Sequence, residues 1–281
     1  MERIKLVTDS SCDLPSDIIS KYNINLISLN VSFGQDSFID RLEIDNNTFY
    51  ERMGNEKELP KTSCPSPDRF LESYEGDEEN ILVLTLASKL SGTYSAAVLA
   101  KDIYLNDDNN NKNIEVIDTC SGSIGAGLLL ISAAKMIEEG RTMKEIVCEI
   151  EKLKKELVFY GTLDTLENAI KGGRVNPIAG KIINSLNFKV IIHINDGVVK
   201  PVDKARGEMN SIKKVLDKIE NQVSDTENRI LGIAHANCLE KAQKVKELIE
   251  SKHKFKEIII SEVGPVMGTY SSKGAILVSV L

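Results

Sequence analysis

Small hydroxyl side chains recur beside glycines and other small residues along this 281-residue chain: Ser10-Ser11, Thr62-Ser63, Ser91-Gly92-Thr93, Thr119-Cys120-Ser121-Gly122 and Gly268-Thr269-Tyr270. Such groups are neutral hydrogen-bond donors, and several meeting at one point can hold a carboxylate or phosphate without a metal. The stretch around Ser91 carries most of this chemistry. Ile81 to Leu86 is a short apolar run that predicts a buried strand, with an alanine-rich helix after the turn. Ser91 is placed to cap that helix, and Gly92 lets a ligand approach the backbone. The first turn of a helix has unpaired N–H groups and the positive end of the dipole, which suits an anion. Taken singly, each loop is explained as well by a Ser or Thr capping its own helix. Five loops of one chemistry favour a shared ligand.

The elements that must position these loops follow from periodicity. Ile4 to Thr8 predicts a first strand ended by Asp9-Ser10-Ser11-Cys12-Asp13, with Pro15 in a first helical turn. Leu26 to Phe33 alternates as a second strand, and Asn47 to Met53 suggests a short helix. Lys61-Thr62-Ser63-Cys64-Pro65-Ser66 enters a helix at Pro67 with Ser66 as cap. Ile114 to Ile117 is a further strand, followed by the apolar helix Ile124 to Glu139, which Gly140 ends. Strands alternating with helices imply a parallel sheet covered on both faces, with ligand loops at the carboxyl ends of its strands. Those loops carry Ser10, Ser91 and Thr119.

Thr142 to Leu157 reads as an amphipathic helix closing a first α/β domain over residues 1–158, and a second α/β domain is expected over 159–281. In the second, Thr162 to Lys171 is predicted helical up to Gly172-Gly173, leaving Arg174 exposed. Asn195-Asp196-Gly197 marks a hairpin between Val190 to Ile194 and Val198 to Val202. A helix from Glu208 to Gln222, a strand over Ile230 to Ala234, a helix from Leu239 to Lys252 and a strand over Ile258 to Val263 follow. Gly264 to Gly274 reads as a loop before a last strand, Ala275 to Val280.

Composition removes several classes of function. Net charge is −7, from 35 basic and 42 acidic residues, and no block of Lys and Arg forms a nucleic-acid footprint. The amino terminus runs into a strand without a signal-peptide core, and no apolar stretch is long enough to span a membrane, so a cytoplasmic protein is expected. The five cysteines include no Cys-x-x-Cys pair, hence no disulfide framework and no zinc pattern. No nucleophile elbow, phosphate-binding Gly-x-x-x-x-Gly-Lys loop or metal-ligand spacing appears, so neither an enzyme nor a cofactor is expected.

In order and spacing, Val7-Thr8-Asp9-Ser10-Ser11-Cys12-Asp13-Leu14, Thr62-Ser63-Cys64-Pro65-Ser66, Leu90-Ser91-Gly92-Thr93-Tyr94, Val116-Ile117-Asp118-Thr119, Lys171-Gly172-Gly173-Arg174 and Ala205-Arg206 resemble the DegV family of bacterial fatty-acid-binding proteins. The resemblance implies a two-domain α/β protein that buries a long-chain fatty acid between its domains and presents the carboxylate to a separate fatty acid kinase, a step towards phospholipid synthesis. By the family pattern Thr62 and Ser91 contact the carboxylate. Arg174 matches an arginine of the polar network near the ligand, and Arg206 matches one that serves kinase docking or is simply solvated. Ser63, Gly92, Thr93, Ser10, Thr119 and Tyr270 complete the expected ligand-binding set.

One position departs from the pattern. Many members carry a histidine in the carboxyl-terminal loop, where this chain has Thr269-Tyr270-Ser271-Ser272-Lys273-Gly274. With a reference pKa of about 10, Tyr270 is neutral near pH 7. It either takes over the histidine's donor role or marks an altered head-group site, with Lys273 the available cation. For the tail, Ile178, Ile182, Ile183 and Leu186 with Phe188 are candidate lining, although a helical stripe of this kind is more often simple core. Cys12, Cys64 and Cys120 lie in the candidate loops with no base in view, and bound ligand is expected to shield them from alkylation. The competing reading is a small-molecule enzyme acting on a phosphorylated or carboxylated substrate, with Asp9 or His235 as acid or base and Ser91 as donor or nucleophile.

Overall fold

The structure is a computed structural model that describes residues 2–56, 58–107, 110–177 and 188–281. The stripe Ile178 to Leu186 lies outside the described residues. Strands β1 (Ile4–Asp9), β2 (Asn25–Ile27), β6 (Asn80–Thr85) and β7 (Asn113–Asp118) form a parallel sheet in the order β2–β1–β6–β7. Every residue of β6 is buried, because helices cover both faces of the sheet. Along β6, Ile81 and Val83 face Phe70 and Tyr74 of α3 (Pro67–Tyr74) and Ala97 of α4 (Thr93–Leu105). Leu82 and Leu84 face the other way, into the core shared with α5 (Ser123–Glu138). This is the period-two alternation of a strand with apolar groups on both faces.

Helix α5 is apolar around its circumference and is buried along most of its length, as such a helix must be. It packs on β1 and β6 on one side, and on β11 (Ile230–His235) and β13 (Ile276–Val280) of a second sheet on the other. That sheet runs β10–β9–β8–β13–β11–β12, with β8 at Val158–Leu163, β9 at Phe188–Asn195, β10 at Val198–Arg206 and β12 at Glu257–Glu262. Only β11 and β12 pair in parallel, joined by α9 (Leu239–Glu250); α8 (Glu208–Glu220) lies on the same outer face. The expected α/β class, with a helix-covered parallel sheet, is therefore the one observed. A small antiparallel sheet, β4 (Asp36–Ile39), β3 (Asn30–Phe33) and β5 (Lys61–Ser63), carries Thr62 opposite Val31. Helices α1 (Ser16–Lys21), α2 (Asn46–Asn55), α6 (Met143–Glu156) and α7 (Glu167–Lys171) complete the set that bears on the site.

Four expectations are corrected. Leu26 to Phe33 is two strands in two sheets, because Leu29 N–H donates to Ser10 Oγ at 3.1 Å instead of continuing the ladder. Thr162 belongs to β8, and the helix begins only at Glu167; Gly161 lets the strand pass Leu277, whose Cδ2 would lie 2.7 Å from a Cβ there. Gly264 to Gly274 is mostly helix: α10 spans Pro265–Ser271 with Pro265 in its first turn, a start signal that outweighs the surrounding glycines. Ser91 is not the cap of α4. Gly92 holds the N-cap position, and Ser91, one residue earlier, accepts from Thr93 N–H at 3.4 Å.

The hairpin was legible. Asn195 pairs with Val198, and Asp196 and Gly197 sit at φ 49° and 70°, the left-handed pair that a two-residue turn of this hand needs. Its tip docks on the first sheet's loops. Lys89 Nζ reaches Asp196 Oδ2 at 2.6 Å, and Gly197 N–H donates to Cys120 O at 2.8 Å.

Candidate functional site

A cavity opens where the carboxyl end of β6, the inner face of β8–β10 and helix α10 meet. The atom-free space between these walls is about 630 Å3 counting the open mouth. It is narrow, a slot between facing side chains. Leu29, Leu86, Leu163, Ile192, Val199 and Met267 supply much of an apolar wall. Five polar side chains share that wall: Thr62, Ser91, Arg174, Tyr270 and, from the last turn of α10, Ser271.

The first four come from separated parts of the chain; Thr62 and Arg174 each contact Tyr270, and Ser91 adjoins them through its neighbour Leu90. Thr62 Oγ1 and Tyr270 Oη are 2.7 Å apart. The Arg174 guanidinium lies 4.7 Å from the centre of the Tyr270 ring, a cation–π distance. Arg174 Nε donates to Leu90 O at 3.1 Å and Nη1 to Gly172 O at 2.6 Å, which ties the arginine to the residue before Ser91. Ser91 Oγ and Thr93 Oγ1 are 2.8 Å apart. All four are half-buried, so Arg174 is not the exposed charge expected from the Gly-Gly turn. The turn itself matters here, because a Cβ on Gly172 would lie 2.5 Å from Tyr270 Cε1. Only glycine lets the ring come this close to that backbone.

The other expected ligand residues are placed elsewhere. Ser10 is buried and accepts from Leu29 N–H, and Thr119 Oγ1 donates to Thr85 O at 2.7 Å; neither lines the cavity. Their hydroxyls serve the backbone at strand ends, the ordinary use of Ser and Thr in turns. Ser63 is exposed and faces away from its neighbour Thr62 by strand alternation. Thr93 is buried behind Ser91, and Gly92 packs on Cys64, whose Sγ would lie 3.3 Å from a Cβ there. Lys273 is exposed and absent from the lining. Arg206 is exposed at the last position of β10, eight residues from the hairpin tip at Val198; at about 3.3 Å per residue that is roughly 26 Å of strand. Phe188 is half-buried beside Lys204, outside the lining.

The groups proposed for catalysis do not meet. Asp9 is buried, with its carboxylate accepting from Ser11 N–H at 3.1 Å, Ser11 Oγ at 2.5 Å and Leu86 N–H at 2.7 Å, and burial raises its pKa. It organises the loop and leaves the cavity to others. His235 ends β11 and accepts from Cys238 N–H at 3.3 Å in a different cleft. Its pKa is lowered, first by burial. Cys12 is buried and its thiol is pushed up to about 12 by that burial, whereas Cys64 is exposed and Cys120 half-buried. None of the three lines the cavity. Among the described residues no cluster of His, Cys, Asp or Glu could hold a metal ion, and no helix is long and apolar enough to cross a membrane.

Sequence reasoning missed the part of the wall given by Val266, Met267 and Ser271 of α10, because the segment read as a loop. It also missed Ile192, Ile194 and Val199. Their signal was present, as Ile192 and Ile194 are two apart in a strand, but nothing local says which face meets a ligand and which meets core.

The family model described as uncharacterised protein, DegV family, matches residues 3–281. A DegV domain-containing protein of Clostridium acetobutylicum is 35% identical over 278 residues, covering 98% of this chain and 97% of the relative. Among solved structures, a DegV-family protein of Ruminococcus gnavus refined with vaccenic acid superposes with a TM-score of 0.91 at 29% identity, covering 98% and 99% of the two chains. The Streptococcus pneumoniae fatty acid kinase B3 protein loaded with linoleic acid gives a TM-score of 0.86 at 27% identity, with 99% of each chain covered.

Proposed function

Since the chain belongs to the DegV family, we propose that it binds a long-chain fatty acid, with the acyl chain in the apolar cavity and the carboxylate at Thr62, Ser91, Arg174 and Tyr270. The observation that carries this reading is the composition of one wall: a narrow apolar slot whose polar lining gathers three alcohols, a phenol and a guanidinium. Thr62 pairs with Tyr270 and Ser91 with Thr93. A carboxylate entering between them replaces neutral pairs by charge-assisted bonds, which are about twice as strong. Arg174 supplies the nearby positive charge, and Tyr270 supplies a phenolic O–H donor.

The two ends of the ligand do different work. At about 0.8 kcal/mol per buried methylene, an acyl chain offers on the order of 10 kcal/mol of gross driving force, reduced by the costs of association and ordering. The head group adds less and sets direction. A lipid held with its carboxylate at the half-buried cluster is held for a second protein to act upon, and the relative that is a fatty acid kinase B protein supports a kinase as that partner. Arg206, exposed at the far end of β10, is the proposed docking charge. Carrier is favoured over enzyme because Asp9 and His235 share no cavity with Ser91. The test is mass spectrometry of lipid extracted from purified protein, followed by a titration of delipidated protein with fatty acids. A stoichiometric fatty acid is expected. Lipid-free protein that binds none of the acids and hydrolyses a soluble phosphate or ester would overturn the reading.

A further inference from the structure

The buried carboxylate that joins the most distant parts of the chain outside the cavity is Asp13. It is 1% exposed, sits at φ 51° after the 3-10 turn Ser10–Cys12, and faces three parts of the chain. Its Oδ2 accepts from Ser123 Oγ at the start of α5, and its Oδ1 accepts from Gly264 N–H at 2.9 Å. Gly264 is the N-cap residue of α10, the helix that carries Met267 and Tyr270 into the cavity. The amide is one that the helix cannot satisfy by itself. Around the carboxylate, Arg41 lowers its pKa while burial dominates and Asp40 raises it further, and Tyr50 packs within electrostatic reach.

Two more contacts fix the same corner. Tyr50 Oη donates to Val263 O at 2.9 Å, and Val263 N–H donates to His235 O at 2.9 Å. Helix α10 is thus clamped at its entry by three bonds, of which Asp13 makes the only one that reaches the helix cap. Seven residues long, α10 has little intrinsic stability, so its placement depends on tertiary contacts. We propose that Asp13 is a positioning residue for head-group recognition: by holding Gly264 it sets the height of α10 and so places Tyr270 Oη beside Thr62.

The inference rests on the fatty-acid reading, and the experiment separates the two. Affinities of delipidated wild type, Asp13→Ala, Asp13→Asn and Gly264→Ala are measured for a long-chain fatty acid and for the fatty alcohol of equal length, with thermal melts alongside. The alcohol shares the tail but not the charge. Asn keeps an oxygen for Gly264 N–H and offers an amide N–H to Ser123 Oγ, so it should keep the wild-type acid-to-alcohol preference within about threefold. Asp13→Ala should lose the preference about tenfold. Gly264→Ala acts from the opposite side: at φ −75° its backbone is unstrained, but the new methyl would lie 3.2 Å from Asp13 Oδ1, and it should also reduce the preference. If Asp13→Ala does not fold, Gly264→Ala and Asp13→Asn decide alone. Equal losses for acid and alcohol, an unchanged preference in Gly264→Ala, or an Asn variant as impaired as Ala would overturn the assignment. Wild type that binds neither ligand would instead overturn the fatty-acid reading itself.

Discussion

Gly172→Ala tests the packing on which the head-group cluster depends. The residue has φ −77°, which alanine adopts freely. Backbone considerations alone therefore predict a gain of about 0.4–1 kcal/mol from a less flexible unfolded chain. The opposing effect is steric. A Cβ there would lie 2.5 and 2.9 Å from Cε1 and Cδ1 of Tyr270 and 3.1 Å from Asn168 O. Carbon atoms are most stable at about 3.5–4.0 Å, so the ring must retreat by roughly 1 Å. Overpacking of this kind costs about 1–3 kcal/mol, so the net expectation is a loss of about 1–2 kcal/mol. The retreat also moves Tyr270 Oη relative to Thr62 and the ring relative to Arg174. Hydrogen bonds to a charged group are worth about 1.5–3 kcal/mol, so fatty-acid affinity should fall about tenfold or more. Urea unfolding and calorimetric titration read the two effects. In a Tyr270→Leu background, where the ring is gone, Gly172→Ala should be neutral or slightly stabilising. An equal destabilisation in both backgrounds, or a single variant at least as stable as wild type with unchanged affinity, would refute the reasoning.

Further outcomes follow from the same geometry. Tyr270→Phe keeps the ring under Arg174 and removes only the phenol, so it should weaken a fatty acid by about tenfold and leave the matching alcohol within about threefold; calorimetry with the two ligands checks this. Asp13, raised to about 7 by burial, and Asp40, raised to about 6, each favour the folded state most below their ordinary carboxylate range. That contribution is lost as pH rises from about 4 through 7. The stability of Asp13→Asn minus that of wild type should accordingly increase over this window and level off above it, and a flat difference in pH-stepped urea unfolding would contradict the buried carboxylate. With no cysteine on the cavity wall, alkylation should proceed at Cys64 and Cys148, which are exposed, at the same rate with and without fatty acid, and spare Cys12. This reverses the expectation that ligand shields the loop thiols, and mass-spectrometric mapping of the labelled sites decides it.

The sequence by itself determined the element types that rest on local signals: strands β1, β6 and β7 of the parallel sheet, the buried α5 and the hairpin turn at Asn195-Asp196-Gly197. It also determined that alcohols and an arginine were available, and the order of motifs around them pointed to the family. What it left open were questions of partnership. Ser10, Thr119 and Ser91 look alike in a string of letters, since each is a hydroxyl after a strand. Only the tertiary structure decided that Ser10 and Thr119 spend their hydrogen bonds on Leu29 N–H and Thr85 O while Ser91 faces the cavity. Thr62 and Tyr270 are 208 residues apart, and no local rule predicts their contact. The physical reason is range: propensity and capping act within a few residues, whereas a binding site is assembled by which faces of distant strands and helices are buried against one another, and that is settled by packing of the whole chain.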